Sequence, residues 1–179
     1  MKKETTPIIA SGDTVNGQSV VIAEAVKTFD QIKEDVVARC KEKGACQPEF
    51  KRILAAENMQ DLLQVLKDNM AWCLNKDIRM IDGSWLEANF GTELLWANHI
   101  YTGSRVYNVS VSEANAQILT LDSSSATVKT LGSSSATVKT LGSSSATVET
   151  LGSSSATVET WGSSSATVKT LGSSSATVE

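Results

Sequence analysis

The hydrophobic pattern of the chain changes its period near residue 105. Before that point apolar side chains recur every three or four residues, which predicts amphipathic helices. After it they alternate with polar residues in short runs separated by glycine and serine, which predicts strands and turns. The decapeptide SSSATVKTLG of residues 123–132 recurs in five full copies, and a partial copy ends at Glu179. A degenerate copy, EANAQILTLD of residues 113–122, precedes them.

Alternation within one copy predicts which side chains point into a core. Ala126, Val128 and Thr130 share one face of the strand, and Lys129 lies on the other. The inward residues are therefore small and β-prone. Leu131 shares the parity of Lys129, so either the strand bends and turns this leucine inward at a corner, or the leucines form an exposed ladder.

Ten residues are too few to close a coil, so we predict a β-solenoid (β-helix) with two decapeptides per coil of about 20 residues. Val128 would then stack on Val148, with coils ~4.8 Å apart and roughly three coils after residue 113. The alternative is an antiparallel meander, which would leave one face of its sheet uncovered. We favour the solenoid because near-identical copies suit a stack in which every rung has the same surroundings.

The first part of the chain predicts a helical head. We place a loose leader at residues 1–18, the helical head at 19–104 and the solenoid tail at 105–179, which gives an α+β fold. A first helix is predicted from about Val20 to the C-terminal cap Gly44. Its apolar face is formed by Ala25, Val26, Phe29, Ile32, Val36 and Cys40. A second helix has Pro48 in its first turn and a buried stripe of Phe50, Ile53 and Leu54.

The remaining head helices follow from capping signals. Asn58 is a predicted N-cap for a long helix in which Lys67, Asp68 and Asn69 face water. Its buried face is predicted to comprise Met59, Leu62, Leu63, Leu66, Met70, Cys73 and Leu74. Ser84 and Glu87 have the spacing of a capping box, and another short helix is predicted from Glu93 to about His99. We expect these last helices to lie over the open first coil, since an exposed sheet edge favours aggregation.

Charge and hydropathy narrow the function classes. Residues 1–112 carry 13 basic and 15 acidic side chains, and residues 113–179 carry 3 and 5. Neither part has the basic excess of a nucleic-acid-binding surface. The sequence predicts no membrane span, because no apolar run approaches 18 residues, and no secretory signal follows Met1. We therefore expect a protein of the cytoplasm, or of a particle assembled there.

Candidate catalytic and metal-binding residues are few, and we predict no catalytic, cofactor or metal site. Cys40, Cys46 and Cys73 could join His99 around zinc, but their spacings match no recurring zinc motif. Cys40 and Cys73 also lie on the apolar faces of their predicted helices, so we expect structural thiols. Cys73 and His99 as a nucleophile pair would lack a recognisable oxyanion hole. The aromatic side chains of Trp72, Trp85, Trp96 and Tyr101 are expected in the head core rather than on a ligand platform.

Two functions known for regular repeats conflict with the residues of this one. Threonine arrays can bind ice, but lysine and glutamate share the face of Thr127. A carboxylate array can mimic DNA, but the seventh repeat position reads Lys, Lys, Glu, Glu, Lys, Glu from Lys129 to Glu179, so its charges cancel.

The combination of head and repeats supports a resemblance. FKRILAAENMQDLLQVLKDNMAWC, then HIYTG, then SSSATVKTLG-type decapeptides resemble a group of uncharacterised bacterial and phage-associated proteins with Ala-Thr-Val repeat tails. The resemblance covers residues 50–179 and implies a helical head on a β-helical tail, with no known activity or catalytic residues. Such proteins usually continue into a capping segment, whereas this sequence stops inside a repeat. The resemblance thus implies a truncated product or an open end that pairs.

The ninth repeat position predicts the interaction surface. A tightly packed interior would resist the replacement of leucine by Trp161, so we expect this position outside the coil and Trp161 partly exposed. In a two-copy coil the candidate interaction residues form two stripes, Leu131, Leu151 and Leu171 on one side and Leu141 and Trp161 on the other. We expect self-association through such a stripe or a solenoid end.

Three function hypotheses follow. The leading one is a non-enzymatic interaction or structural protein, in which a helical head binds a protein partner and a rigid solenoid displays it. The alternative is a small regulator or inhibitor of a host or phage enzyme, with the tail as a spacer. The third is an enzyme that uses Cys73 and His99, which no motif supports.

Overall fold

The computed structural model describes residues 14–15, 18–19, 27–75, 77–112 and 114–179. A short antiparallel pair, β1 (Thr14–Val15) and β2 (Gln18–Ser19), precedes the head, and the rest of the predicted leader lies outside the described residues. The described part contains six helices. They are α1 (Phe29–Lys43), α2 (Gln47–Ala55), α3 (Met59–Asp68), α4 (Met70–Cys73), α5 (Gly83–Phe90) and α6 (Thr92–Ala97).

The rest of the chain is a solenoid of about four turns, which confirms the predicted α+β fold. Its strands are β3 (Ile100–Tyr101), β4 (Val106–Val111), β5 (Ala116–Thr120), β6 (Ser125–Thr130), β7 (Ser135–Gly142), β8 (Ser145–Gly152), β9 (Ser155–Gly162), β10 (Ser165–Gly172) and β11 (Ser175–Val178). They form two parallel sheets, ordered β10-β8-β6-β4 and β11-β9-β7-β5-β3. Each coil contributes one strand to each sheet, and the first solenoid strand lies upstream of the predicted boundary at residue 105.

The strand register confirms two decapeptides per coil. Val128 pairs with Val148 in parallel, which excludes the antiparallel meander. Only the first coil departs from a spacing of 20 residues, since Ile100 pairs with Leu119. The corner between Val111 and Ala116 is one residue shorter than the corresponding corner after Thr130, and this accounts for the difference.

The solenoid interior consists of the predicted alanines, valines and threonines. Ala126, Val128 and Thr130 are each at most 1% exposed, as are the equivalent valines of the next three copies, Val138, Val148 and Val158. The second serine of each copy fixes the corner between strands. Ser134 Oγ accepts a hydrogen bond from the Leu131 amide at 3.0 Å and donates one to the Val111 carbonyl of the coil below at 3.2 Å. This hydroxyl therefore satisfies buried backbone groups that a turn would otherwise leave unpaired.

The head and the solenoid share one hydrophobic core. Leu119, Leu121 and Leu141 of the solenoid pack in the same cluster as Leu62 and Leu66 of α3. Leu119 occupies the seventh repeat position, where every later copy has lysine or glutamate. The head covers this outward position, which explains why it carries an apolar side chain and why it is fully buried.

Capping residues define both ends of α1 and the start of α3. Helix α1 begins at Phe29, later than predicted, because Thr28 forms a capping box with Gln31; Ala25 and Val26 lie outside the described residues. Gly44, at φ +72°, is the predicted C-terminal cap. Asn58 caps α3 as predicted, but the expected long helix is interrupted at Asn69 and resumes as α4.

Three side chains of the head differ from their predicted roles. Lys67 is 8% exposed rather than facing water, and its Nζ donates a hydrogen bond to the Asn98 carbonyl at 2.7 Å. Leu54 was predicted to be buried but is 50% exposed, since Ile53 is the residue that α2 buries. Asp82, not Ser84, caps α5 by accepting the Trp85 amide hydrogen at 2.7 Å.

Aromatic side chains close the solenoid at its first coil. Tyr107 occupies the inward position paired with Ala126, and its ring lies 4.6 Å from that of Tyr101. Trp96 of α6 meets Tyr107 edge to face at 6.0 Å but is 42% exposed, so it is not a core residue as predicted. The end of the head therefore lies over the start of the solenoid interior.

Candidate interaction site

The ninth repeat position forms two columns on opposite sides of the solenoid. We name Leu131, Leu151 and Leu171 the outer stripe. Leu131 is 40% and Leu171 is 55% exposed, and Leu151 is half-buried between them. Leu171 pairs directly with Leu151, so the stripe runs along the stack from one rung to the next.

The other column faces the helical head. Leu121 and Leu141 are buried in the shared core, whereas Trp161, which pairs with Leu141, is 51% exposed. Leu141 was predicted as an interaction residue together with the others, but the chain itself covers it. The head supplies the apolar surface that the prediction assigned to a partner.

A cleft of about 870 Å³ opens beside Trp161, between the solenoid and the α4–α5 region of the head. Apolar, hydroxyl, amide and charged side chains all contribute to it. The head wall comprises Arg39, Ala71, Leu74, Asn75, Arg79, Met80, Ile81, Asp82 and Trp85, and the solenoid wall comprises Asp122, Leu141, Gly142, Ser143, Trp161, Gly162 and Ser163. The sequence indicated Trp161 but not the head wall, whose residues come together only through the packing of the head on the solenoid.

Hydrogen bonds hold the head wall in place. Asp35 accepts hydrogen bonds from Arg39 Nε at 2.8 Å and from Trp85 Nε1 at 3.0 Å, and Arg39 also donates to the Met80 carbonyl at 2.8 Å. Burial opposes the charged form of Asp35. The hydrogen bonds from Arg39 and Trp85, with the charges of Arg39 and Lys27, outweigh it and lower the pKa of Asp35.

Two glycines, Gly142 and Gly162, line the solenoid wall. Gly162 has φ +78°, and a Cβ there would lie 3.0 Å from the Gly142 carbonyl oxygen of the preceding coil. Glycine is favoured on both counts. The neighbouring Ser143 and Ser163 are exposed, so the wall presents a row of hydroxyl groups beside the Trp161 indole.

The three cysteines line a second cavity of about 260 Å³ within the head. Burial raises the pKa of the Cys40 thiol to about 11 and that of Cys73 to about 12. Both thiols are thus protonated at neutral pH, the opposite of an activated nucleophile. Cys40 and Cys73 are buried and Cys46 is exposed, and His99 is not among the residues that line this cavity. No group of three or more His, Cys, Asp or Glu in the described part of the chain is arranged to hold a metal ion.

Searches for similar proteins returned no match. No protein-family model, curated protein or solved structure is similar to this chain. Across the described ranges, no helix is long and apolar enough to cross a membrane.

Proposed function

We propose that this chain is a non-enzymatic interaction protein whose solenoid presents an apolar stripe to a protein partner. The observation that carries the proposal is the outer stripe of Leu131, Leu151 and Leu171. Leu131 is 40% exposed in a copy that buries Ala126 and Val128 almost completely, and Leu171 is 55% exposed in the last full copy, where Ala166 and Val168 are half-buried. Aligned exposed leucines are typical of association surfaces.

The solenoid suits this function because it holds the stripe rigidly. Successive coils pair over whole strands, and Ser134 and its equivalents tie the corners of the repeat copies to the coil below. Side chains on a stack of this kind stand one rung, ~4.8 Å, apart. A partner therefore meets leucines that lose little backbone freedom on binding.

The head belongs to the same rigid unit. Its core includes Leu119, Leu121 and Leu141, so the head and the solenoid form one packed body. We further propose that the partner is a protein of the cytoplasm, in the phage-associated bacterial setting that the repeat sequence led us to expect. A second copy of this chain is one such partner.

Site-specific photocrosslinking tests the proposal on the full chain. A benzophenone side chain placed at Leu131 or Leu171 should give discrete protein adducts in extract of the source cells, and a dimer-sized adduct would identify a second copy. The matched control is Thr167, an exposed residue on the outward face of the same strand as Leu171. The proposal would be contradicted if benzophenone at Thr167 gave as much adduct as benzophenone at Leu131 or Leu171. It would also be contradicted if neither stripe position gave a discrete adduct.

A further inference from the structure

The cavity lined by the three cysteines has a buried, apolar interior that reaches the surface of the head. The buried part of its lining comprises Cys40, Ile53, Val65, Leu66, Cys73 and Met80. The rest of the lining is half-buried or exposed and forms the mouth, which comprises Gly44, Ala45, Cys46, Glu49, Asn69 and Trp72. A small molecule can therefore reach the interior from solvent.

The polar side chains of this lining are already paired. Asn69 Nδ2 donates a hydrogen bond to Glu49 Oε2 at 2.9 Å, and the same oxygen accepts one from Arg52 Nη1 at 2.8 Å. The Cys40 and Cys73 thiols are neutral at pH 7, since burial raises the pKa of both. An apolar ligand would thus leave no charged group of the lining without a partner. A charged ligand would lose its hydration to a surface whose carboxylate is already paired.

Sulfur atoms in the lining favour an aromatic ligand over an aliphatic one. Cys40, Cys73 and Met80 all line the cavity, and the Cys40 thiol donates to Met80 Sδ at 3.8 Å. Polarizable sulfur makes favourable contacts with aromatic rings, often at the ring edge. The indole of Trp72 on the same lining adds an aromatic surface for edge-to-face packing. An aromatic ring therefore gains contacts here that an alkane of the same size would lack.

The volume of the cavity limits the size of its ligand. The cavity measures about 260 Å³. An apolar cavity of about 150 Å³ is large enough to hold benzene. We propose that the cavity of the head binds a small neutral aromatic molecule of one or two rings. This site lies among the helices and the outer stripe lies on the solenoid, so this proposal and the proposed function stand or fall independently.

Toluene and benzoate are suitable probes for the full chain, because both contain one benzene ring and only benzoate is charged. Side-chain methyl resonances are followed by NMR in each titration. Toluene should shift the methyl resonances of Ile53, Val65 and Met80 through its ring current. The methyl resonances of Leu63, which is buried in the same core but does not line the cavity, should change little. Benzoate should bind at least tenfold more weakly, because its carboxylate would lose hydration.

Three outcomes of these titrations would overturn the proposal. They are no methyl shift at the solubility limit of toluene, shifts that are largest at Leu63, and equal affinity for toluene and benzoate. Photocrosslinking from Leu131 would be unaffected by any of them.

A substitution at Met80 tests the aromatic class of the ligand. Met80→Leu replaces the thioether by an aliphatic side chain of similar volume, so the melting temperature should change little. It should weaken toluene binding by about two- to tenfold, because the sulfur contact is lost. Wild-type affinity for toluene in this variant would show that the cavity does not select aromatic ligands.

Filling the cavity tests the location of the ligand. Val65→Phe places a ring in the space that toluene would occupy and should abolish its binding. The matched control is Val37→Phe, which adds the same ring at a half-buried position of α1 outside the cavity and should leave the affinity unchanged. Undiminished toluene binding by folded Val65→Phe would contradict the proposal. If this variant does not fold, the methyl shifts of the wild-type chain decide the location.

Discussion

At the scale of single residues, the seventh repeat position carries charges that pair from one coil to the next. In sequence order this position reads Lys, Lys, Glu, Glu, Lys, Glu, with no regular alternation. In the solenoid, Glu149 lies between Lys129 at 3.3 Å and Lys169 at 4.0 Å, and Lys139 pairs with Glu159 at 3.0 Å. Each exposed cross-strand pair contributes only about 0.2–1 kcal/mol.

The same charges favour the observed pairing only slightly over the alternative. A spacing of 20 residues gives three opposite-charge pairs and one like-charge pair, Glu159 with Glu179. If adjacent copies paired, there would again be three opposite-charge pairs, but two like-charge pairs, Lys129 with Lys139 and Glu149 with Glu159. The charges therefore make a small contribution to the register, and the buried stack of identical residues makes the larger one.

The inward parity of the repeat leads to a prediction for Val148, which is fully buried. Val148→Asp should destabilise the protein by roughly 4 kcal/mol or more, because it places an unpaired carboxylate in a narrow apolar core. Thr147→Asp, one residue earlier on the outward face, is the matched control and should change stability by about 0.5 kcal/mol. Urea unfolding followed by circular dichroism measures both, and equal midpoints would mean that the parity is inverted.

At the scale of elements, the sequence predicts features that depend on a local pattern, such as the buried face of a strand. It misses features that depend on contacts between distant segments. The alternation of Ala126, Val128 and Thr130 defined the buried face, and Gly44 marked a helix end, since these signals lie within one element. Lys67 escaped prediction because its partner is the Asn98 carbonyl, distant in sequence. The spacing of Ser84 and Glu87 predicted Ser84 as the N-cap of α5, but the N-cap is Asp82, two residues earlier.

Glu87 shows why that capping box does not form. Its carboxylate accepts hydrogen bonds from Thr102 Oγ1 at 2.5 Å and Arg105 at 2.9 Å, on the segment that enters the solenoid. The side chain therefore links α5 to the first coil instead of satisfying its own helix. Arg105 and Thr102 lie 15 or more residues after Glu87 in the sequence, so their hydrogen bonds to it can be recognised only in the folded structure.

The joint between α5 and the degenerate copy gives a second prediction. Asp122 stands where later copies have glycine and keeps φ +61°. Its Oδ2 accepts the Gly103 amide hydrogen at 3.2 Å and would lie 1.7 Å from a Cβ on Gly83. Gly83→Ala should therefore lower stability by about 1–3 kcal/mol, although alanine normally favours a helix over glycine.

The double variant tests this contact directly. Asp122→Gly removes the clashing carboxylate and relieves the positive φ, so Gly83→Ala should cost much less in that background. The double-mutant cycle in urea should give a coupling of about 1 kcal/mol or more. Additive effects of the two changes would show that Gly83 and Asp122 do not meet.

At the scale of the whole molecule, the head and the solenoid depend on each other. The head buries Leu119, and its helices cover Leu121 and Leu141, while Tyr101 and Tyr107 close the interior of the first coil. The signals were present in the degenerate copy, where Leu119 replaces a charged residue and Asp122 replaces glycine. Such departures from a repeat mark the place where another element docks.

This dependence predicts that the head does not fold alone. A chain of residues 1–112 lacks Leu119, Leu121 and Leu141, so its helices would expose the apolar surface that these leucines cover. It should lose cooperative thermal unfolding and dispersed amide resonances. A chain of residues 1–162 keeps the three leucines and is the matched control, expected to melt cooperatively.

A single substitution tests the same interface without truncation. Leu119→Lys restores the charged residue of the later copies but buries it beneath the head, where Leu119 is fully buried. It should cost roughly 3 kcal/mol or more, since it places a charge among the apolar side chains of the shared cluster. Lys139→Leu, at the next rung, tests the reverse change. It should alter stability by about 1 kcal/mol or less, because it removes a single, partly buried ion pair with Glu159. A 1–112 chain that unfolds cooperatively, together with a harmless Leu119→Lys, would mean that the two parts are independent domains.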